Sequence, residues 1–401
     1  MTVAGQLVRA RSQSGLGQED VATAIGVSRA MVSYWESGKR EPNDRQLTAM
    51  SRLFNTPLSV LLDHEEPAAE PDVAAMLLRV TDGHDVPDDA APGVREFVRF
   101  LDAYARLAAA ANFSVRGMTQ SPFVSTPGYE SADDARRKAE EVRSHLRLGM
   151  GPIGDVDSIC ELLGITVFRH GLGSDLSRTV SGAFLDHRNG VGFAILVNLD
   201  MTPGRRHFTV AHELAHALFH SSDSRYTVST ARKSPRERFA DAFAGEFLMP
   251  AEGMRRLVEE QGIGPRLSDP TEVIHLQRFF GVSYATALLR CLKAGLIKQD
   301  QYDEFSSIRP LVLARALGYE IAEEEYEQRP ERWKIERYPL RFRRLVRQAV
   351  RADVISLPTA AALTGLSIDE VSELVAAEDQ RGDGSEPDRT ELNEYAASGV
   401  V

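Results

Sequence analysis

Five residues, His-Glu-Leu-Ala-His at positions 212–216, restrict the fold more than any other part of this sequence. On an α-helix, residues four apart lie on one face, so His212 and His216 can direct both imidazoles at a single metal ion. Glu213 can then point towards a water molecule at that ion without being a ligand. A motif of only five residues also occurs by chance in unrelated sequences. The flanking residues strengthen it, because apolar residues recur where an amphipathic helix needs core contacts: Phe208, Leu214, Leu218 and Phe219.

A third ligand is expected, because a catalytic zinc usually has three protein ligands and an open fourth position. The later run S-P-R-E-R-F-A-D-A-F-A-G-E-F-L-M-P offers Glu237 and Glu246. At about 100° per residue, Asp241 shares the helix face of Glu237, whereas Glu246 lies on the opposite face. Asp241 could then accept the second ring N–H of a ligating histidine and fix its tautomer. We favour Zn²⁺ bound by His212, His216 and Glu237, with Glu246 as the alternative third ligand.

The N-terminal residues show a second pattern, the layout of a helix-turn-helix. Residues 18–25 form a first short helix, and Gly26 can take the left-handed conformation of the turn. Ser28 is placed to cap a second helix, on which Val32 and Trp35 face the core. The remaining positions near its start point outward, where side chains can reach base edges in the major groove: Arg29, Ala30, Ser33 and Tyr34.

This block resembles the Cro/cI-type (XRE family) DNA-binding domain. The resemblance is carried by Gln18, Ala22, Gly26-Val27-Ser28, Val32, Trp35-Glu36, Gly38, Pro42 and Leu47. It implies a five-helix domain that binds double-stranded DNA around Ser28. Base reading is then assigned to Arg29, Ala30, Ser33 and Tyr34, and phosphate contact to Gln18, Lys39 and Arg40. The alternative is a five-helix protein–protein module without DNA affinity.

The charge of residues 1–63 bears on how such a domain would bind. They contain seven basic and six acidic residues, a net charge of +1. Phosphate contacts supply much of the affinity of proteins for DNA, so one copy should bind weakly. We therefore expect a homodimer on two half-sites.

The region from about 130 to 300 resembles the ImmA/IrrE metallopeptidase family. The resemblance is carried by F-T-V-A-H-E-L-A-H-A-L-F-H at 208–220, E-R-F-A-D-A-F-A-G-E-F-L-M-P at 237–250 and F-G-V-S-Y-A-T-A-L-L-R at 280–290. It implies a compact zincin fold with a small sheet, a zinc helix and a supporting helix. Members typically cleave a Cro/cI-type repressor that is encoded separately. Here such a domain is fused to the peptidase region, so that arrangement does not transfer directly.

The expected fold is multidomain and mainly α, with one small α+β domain. Apolar runs at 165–170, 179–186 and 191–199 predict a small antiparallel sheet just before the His-Glu-Leu-Ala-His segment, with a hairpin turn at Asn189-Gly190. Near that segment, His220 is interpreted as a neighbour of the ligands and Tyr226 as a surface residue on a loop. The predicted organisation is a DNA-binding domain at 1–63, an acidic linker and connecting helix at 64–129, a peptidase domain at 130–300, a helical C-terminal region at 301–378 and a disordered tail at 379–401.

Composition limits the remaining possibilities. No stretch of eighteen apolar residues occurs and the N-terminus lacks signal-peptide features, so we expect a cytoplasmic protein without a membrane partner. Cys160 and Cys291 are far apart in sequence, which favours buried thiols in a reducing compartment. The net charge of −11 argues against a protein that coats nucleic acid non-specifically.

Two further segments lie near the C-terminus. Residues 331–351 have a net charge of +6 and an apolar side, so they are either a solvated face or an auxiliary DNA or protein contact. The segment that follows looks like a second helix-turn-helix with Gly365 at the turn. Its second helix is acidic, which favours packing over DNA binding.

These patterns together predict a DNA-binding transcriptional regulator with a zinc-dependent metallopeptidase domain. Its substrate would be a repressor-type protein, or the chain itself, in a stress or mobile-element response. The competing hypothesis is a non-catalytic regulator or antitoxin. In that case the zincin-like domain senses metal or a peptide or protein ligand.

Overall fold

The computed structural model describes residues 3–54, 56, 61, 90–123, 131–173, 180–187, 190–222, 225–229, 234–322 and 335–376. The predictions for the acidic stretch 64–89 and for the tail 379–401 lie outside these residues. Among the described helices, none has the length and hydropathy that a membrane crossing requires.

The N-terminal unit is a cluster of short helices: α1 (Val3–Gln13), α2 (Gln18–Ile25), α3 (Arg29–Glu36) and α4 (Asp44–Leu53). Gly26 ends α2 with a φ of 71°, a conformation that glycine adopts without steric cost. The Ser28 hydroxyl accepts a hydrogen bond from the Met31 amide and caps α3. Val32 and Trp35 are buried, as predicted. The described residues up to Phe54 thus contain four of the five helices that the resemblance implies.

The central unit is built on a four-stranded sheet. Its strands are β1 (Thr166–His170), β2 (Gly182–His187), β3 (Gly192–Asn198) and β4 (Tyr226–Ser229), in the order β1-β3-β2-β4. β2 pairs antiparallel with both β3 and β4, but β1 pairs parallel with β3. The expectation of an antiparallel sheet is therefore wrong for β1. β3, the second strand of the hairpin, lies between β2 and β1. It runs antiparallel to β2 and in the same direction as β1.

Helices surround this sheet on both sides. Before the strands come α5 (Ala91–Ala110), α6 (Ala132–His145) and α7 (Val156–Leu162). After β3 come α8 (Pro203–Phe219), α9 (Pro235–Leu248), α10 (Ala251–Glu260), α11 (Pro270–Phe280), α12 (Tyr284–Lys293), α13 (Gln299–Ser306) and α14 (Pro310–Ala316). The C-terminal region consists of α15 (Leu340–Arg351), α16 (Leu357–Thr364) and α17 (Ile368–Ala376).

The two faces of the sheet belong to different cores, as the alternation of β3 side chains requires. Phe193 and Ile195 join the core formed with α8 and α9. Ala194 and Leu196 join the core formed with α5 and the C-terminal helices. The result is a sheet between two helical layers.

α5 does more than connect two domains. Phe100 of this helix stacks on Phe168 of β1, with ring centroids 4.6 Å apart. The same ring meets Phe342 of α15 edge-on at 5.0 Å. The C-terminal region is thereby joined to the far side of the sheet.

Three arginines of the basic stretch donate to carbonyls at the ends of neighbouring helices. Arg337 donates to the carbonyl of Thr364 at the end of α16. Arg347 and Arg351 donate to carbonyls of Leu374 and Val375 near the end of α17. Cations are favourable at helix C-termini, where carbonyls lack partners. Residues 331–334 of the stretch lie outside the described part.

Candidate metal centre and nucleic-acid interface

Two packed helices bring the candidate metal ligands together. α8 packs between the sheet and α9, and its residues His212, Glu213 and His216 are 6%, 0% and 0% exposed. In α9 the Ser234 hydroxyl accepts from the Glu237 amide and fixes the first turn of the helix. Glu237 lies in this first turn, on the side of α9 that packs against α8, close to both histidines.

Three ligand atoms converge between these helices. Glu237 Oε2 lies 3.1 Å from His212 Nε2, and Glu237 Oε1 lies 3.2 Å from His216 Nε2. The two Nε2 atoms are 3.2 Å apart. Within the described residues, this is the one group of three or more histidine, cysteine or acidic residues close enough to share an ion.

The residues present fit a tetrahedral divalent metal ion. Bonds of about 2.0–2.1 Å at tetrahedral angles place ligand atoms roughly 3.3–3.4 Å apart, close to the spacing observed here. Two imidazole nitrogens facing each other at 3.2 Å repel unless a proton or a cation lies between them. Imidazole nitrogen with one carboxylate oxygen is also a donor set that borderline metals prefer.

The second ring nitrogens of the two histidines are also engaged. Asp241 Oδ1 lies 3.1 Å from His212 Nδ1, as the shared helix face predicts. His220 Nδ1 lies 2.9 Å from His216 Nδ1. Burial, and next the neighbouring His216, lower the pKa of His220 to about 3, so His220 is neutral. Such contacts orient ligand histidines and select their tautomers.

The histidines and carboxylates of this cluster shift each other's pKa strongly. Burial lowers the pKa of His212, but hydrogen bonds that His212 donates to Asp241 and Glu237 outweigh this effect and raise the pKa to about 10. Burial raises the pKa of Glu237, but hydrogen bonds from both histidines lower it to about 2. These opposite shifts show that the carboxylates favour positive charge between the side chains, and a bound metal ion would supply that charge.

Glu213 is the unusual group of the site. It is fully buried, and neither carboxylate oxygen makes a hydrogen bond of normal geometry to a described residue. Burial raises the pKa of Glu213 to about 8, against the opposing effects of His212 and the Ser229 hydroxyl. A buried, unpaired carboxylate is costly, and such groups are concentrated at functional sites.

A glycine makes room for that carboxylate. A Cβ on Gly182 of β2 would lie 2.8 Å from Glu213 Oε1 and 2.9 Å from the carbonyl oxygen of Leu196. Sequence reasoning missed this residue, because the contact depends on how β2 packs against α8. It also missed β4, which contributes Ser229 beside Glu213. The same strand carries Tyr226, so the prediction of a loop at this residue is wrong.

Glu246 lies in a different environment from Glu237. Its Oε1 accepts from the Ala251 amide at 2.8 Å, and its Oε2 accepts from Arg290. Arg290 also donates to the carbonyl of Met249. The structure places Glu237, and not Glu246, beside the histidines, and it uses Glu246 to join α9 to α12.

The cluster opens into a cleft of about 710 Å³. Its lining includes the candidate metal-site residues His212, Glu237 and Asp241, and also the paired Glu246 and Arg290. This volume lies in the range of sites that bind drug-sized ligands. The cleft gives the candidate metal centre access from outside.

The candidate DNA-reading residues lie on and around α3. Ser28, Arg29, Ala30, Tyr34, Lys39 and Arg40 are exposed, and Ser33 and Gln18 are half-buried. Tyr34 is 46% exposed, which is high for a large ring and suits a contact residue.

Two of these side chains have internal partners. The Gln18 amide donates to Glu36 at 2.8 Å. Arg29 lies 3.9 Å from Glu19, and both are largely exposed, so this pair is weak. The outward face of α3 is thus available to a partner.

Comparison with known proteins assigns a class to each unit. Residues 7–61 match the Helix-turn-helix family, and residues 160–292 match the IrrE N-terminal-like domain, a peptidase family of the ImmA/IrrE kind. The chain therefore joins an XRE-type helix-turn-helix domain to a peptidase-type domain, as the two sequence resemblances predict. These two domains support the class of a DNA-binding regulator with a peptidase-type domain.

One particular relative matches the N-terminal unit. The HTH-type transcriptional activator BcrR of Enterococcus faecalis is 39% identical over 61 residues. The match covers 15% of this chain and 30% of the relative, so it concerns the helix-turn-helix domain alone.

Proposed function

We propose that this protein is a DNA-binding transcriptional regulator whose peptidase-type domain is a zinc-dependent metalloendopeptidase. The convergence of the ligand atoms of His212, His216 and Glu237 is the observation that carries the proposal. According to this proposal, the three residues bind Zn²⁺, Glu213 is the catalytic base, and Asp241 positions His212. Two histidines, one glutamate and an open fourth position form a ligand set of catalytic zinc sites.

The chemistry divides between the ion and the chain. Zn²⁺ bound there supplies Lewis acidity, which polarises a scissile carbonyl and makes a water molecule more acidic. Glu213 takes the proton of the attacking water and delivers it to the leaving amine. Both oxygens lack a hydrogen bond of normal geometry to a described residue, and a divalent cation beside Glu213 would lower its raised pKa, so that the carboxylate can accept that proton. Asp241 and His220 hold the two imidazoles with their Nε2 atoms turned inward.

The proposed substrate is a repressor-type protein, either a separate chain or this one, cut in a stress or mobile-element response. The helix-turn-helix domain supports this choice, because it would bring the peptidase domain close to other proteins bound at the same DNA. The N-terminal unit binds a double-stranded operator through α3. It acts as a homodimer, because its small net charge limits the affinity of one copy.

Cleavage is tested on full-length protein loaded with one equivalent of zinc. Wild type and Glu213→Gln are incubated with a purified Cro/cI-type repressor encoded near the gene, and fragments are identified by mass spectrometry. We expect cuts by wild type only, although both proteins retain zinc. If neither protein cuts the repressor or itself while both bind zinc and the operator, the non-catalytic regulator is the better account.

A further inference from the structure

A second cavity, of about 730 Å³, lies between the peptidase-type domain and the C-terminal region. One wall is formed by α7, β1 and the N-terminal half of α8, and the other by residues at the start of α15. Among the described residues, it shares none of its lining with the cleft of the candidate metal centre. Its volume lies in the range of small-molecule sites, and the proposed function does not use it.

The charges of this lining balance, because it contains four arginines and four carboxylates. Several of these groups serve the fold. Asp155 caps α7, and Glu161 Oε1 accepts from the Leu340 amide at 2.7 Å. Asp157 Oδ2 is paired with Arg169. A balanced lining attracts neither anions nor cations by net charge, and so it favours a ligand whose own net charge is zero.

Three buried polar atoms of the lining have no hydrogen-bond partner among the described residues. They are Asp157 Oδ1, His207 Nε2 and Arg343 Nε. Buried polar groups are normally paired, because an unpaired group loses its hydration without compensation. A ligand that pairs all three atoms would recover that loss, so these atoms define the polar contacts of the site.

Two of the three atoms are acceptors. Asp157 Oδ1 belongs to a carboxylate whose other oxygen is already paired. Burial lowers the pKa of His207 more than the nearby Asp157 raises it, so the ring is neutral. Its other nitrogen donates to the Ile153 carbonyl, which leaves Nε2 as an acceptor. Both atoms therefore require an N–H or O–H donor, and a cationic donor is favoured beside the charge of Asp157.

The third atom, Arg343 Nε, is a donor. Burial lowers the pKa of Arg343, against the opposing effects of Glu161 and Glu336, which act on it through space. Arginine stays protonated in proteins even so. A guanidinium whose Nε–H is unpaired can bind a carboxylate through two parallel hydrogen bonds. This side of the cavity therefore suits a carboxylate.

We infer that this cavity binds a small zwitterion, a molecule that carries an ammonium group and a carboxylate, such as an amino acid or a dipeptide. The ammonium group donates to Asp157 and His207, and the carboxylate accepts from Arg343. This site goes beyond the proposed function and does not depend on it. Because His207 belongs to α8 and Arg343 to α15, the ligand joins the helix of the candidate metal ligands to the C-terminal region.

The chemistry of the ligand is tested by isothermal titration calorimetry on full-length protein. The probes are ω-amino acids from glycine to aminohexanoate, together with glycylglycine, so the series also measures the spacing of the two contacts. We expect the best member to bind at least about tenfold more tightly than the matched alkylamine or alkanoate, each of which lacks one of its charges. The inference is overturned if nothing in the series binds more tightly than about 10 mM, or if the singly charged analogues bind equally well.

Two variants locate the site. Arg343→Met should weaken binding of the best member at least about tenfold and remove its advantage over the alkylamine. His207→Leu should reduce its advantage over the alkanoate. The control Arg341→Met makes the same change on the same helix, outside the lining, and should bind like wild type. Unchanged binding in either Arg343→Met or His207→Leu overturns the inference.

Hydrogen exchange on wild type keeps the test decisive if a variant does not fold. With the best probe at saturation, amide exchange should slow in α7 and at the start of α15. Slowing confined to residues that line the cleft would place the carboxylate at the metal centre and would overturn the inference.

Discussion

At the scale of single residues, Glu237 and Glu246 should differ in what their loss does. Glu237→Gln should lower zinc affinity by more than about 100-fold, because a direct ligand matters more than its supporting groups, which contribute roughly 10- to 100-fold. Glu246→Gln should keep zinc but lose stability, by up to about 3–5 kcal/mol, because it leaves Arg290 buried without its partner. Chelator competition measures the first effect and urea unfolding the second. Loss of zinc in Glu246→Gln with normal binding in Glu237→Gln would reverse the ligand assignment.

Gly182 gives a second prediction, about the space around Glu213. A methyl group at 182 would come within 2.8 Å of Glu213 Oε1, so the carboxylate must move. Gly182→Ala should therefore reduce peptidase activity by at least about tenfold, since small displacements of catalytic groups are costly, and should retain zinc. Overpacking should also cost about 1–3 kcal/mol in stability.

A matched control exists for this substitution. A Cβ on Gly154 would meet no atom within 4 Å, and Gly154 is exposed. Gly154→Ala should leave activity and unfolding unchanged. Full activity in Gly182→Ala would show that Glu213 needs no reserved space, and would weaken its assignment as the base.

The site residues differ in how far sequence could predict them. The contact of Asp241 with His212 follows from helix periodicity, because Glu237 and Asp241 lie one turn apart on α9. Gly182 and Ser229 come from strands that are distant in sequence from Glu213. Their proximity depends on how the sheet packs against α8, and no local pattern encodes that.

At the scale of elements, long periodic segments were predictable and short or non-local ones were not. The helix expected for the run that carries Glu237 and Asp241 is found at Pro235–Leu248, and the predicted hairpin strands pair as expected. β4 has only four residues, too few for an alternating pattern to stand out. The direction of β1 depends on its pairing with β3, which lies more than twenty residues away along the chain.

The C-terminal helices yield a prediction at this scale. Phe342 of α15 is fully buried against Phe100 and Tyr104 of α5, so removing its ring opens a cavity in the core that covers the sheet. Phe342→Ala should cost about 3–5 kcal/mol. Because that core includes sheet residues such as Leu196, the loss should appear in the unfolding of the peptidase-type domain.

Leu340 provides the comparison on the same helix, because its side chain is 50% exposed. Leu340→Ala should change stability by less than about 0.5 kcal/mol. Urea unfolding followed by far-UV circular dichroism measures both variants. Equal stability of Phe342→Ala and wild type would mean that the C-terminal region folds apart from the sheet.

At the scale of the whole molecule, the C-terminal region touches both functional units. It packs on the sheet opposite α8, and Thr359 of α16 donates a hydrogen bond to the carbonyl of Leu53 at the end of α4. The helix-turn-helix domain and the peptidase-type domain are therefore connected through α16 and α15. The sequence predicted this region as helical, but not that its arginines cap helices, since capping depends on tertiary contacts.

DNA binding by the assembled protein gives the last prediction. Arg29 and Lys39 are both exposed cations of the N-terminal unit, but only Arg29 lies on α3 near its start, where side chains reach base edges. Arg29→Ala should cost about 1–3 kcal/mol on the preferred operator and relax the preference at one base pair. Lys39→Ala should weaken binding to all sequences alike and reduce the salt slope by about one unit. Titrations of full-length protein on the operator and on scrambled DNA at several salt concentrations separate the two effects.

Because residues 1–63 carry a net charge of only +1, tight binding should require two half-sites about one helical turn apart. Equal affinity for a single half-site would contradict the dimer, and an Arg29→Ala effect of the same size on scrambled DNA would make Arg29 a phosphate contact instead.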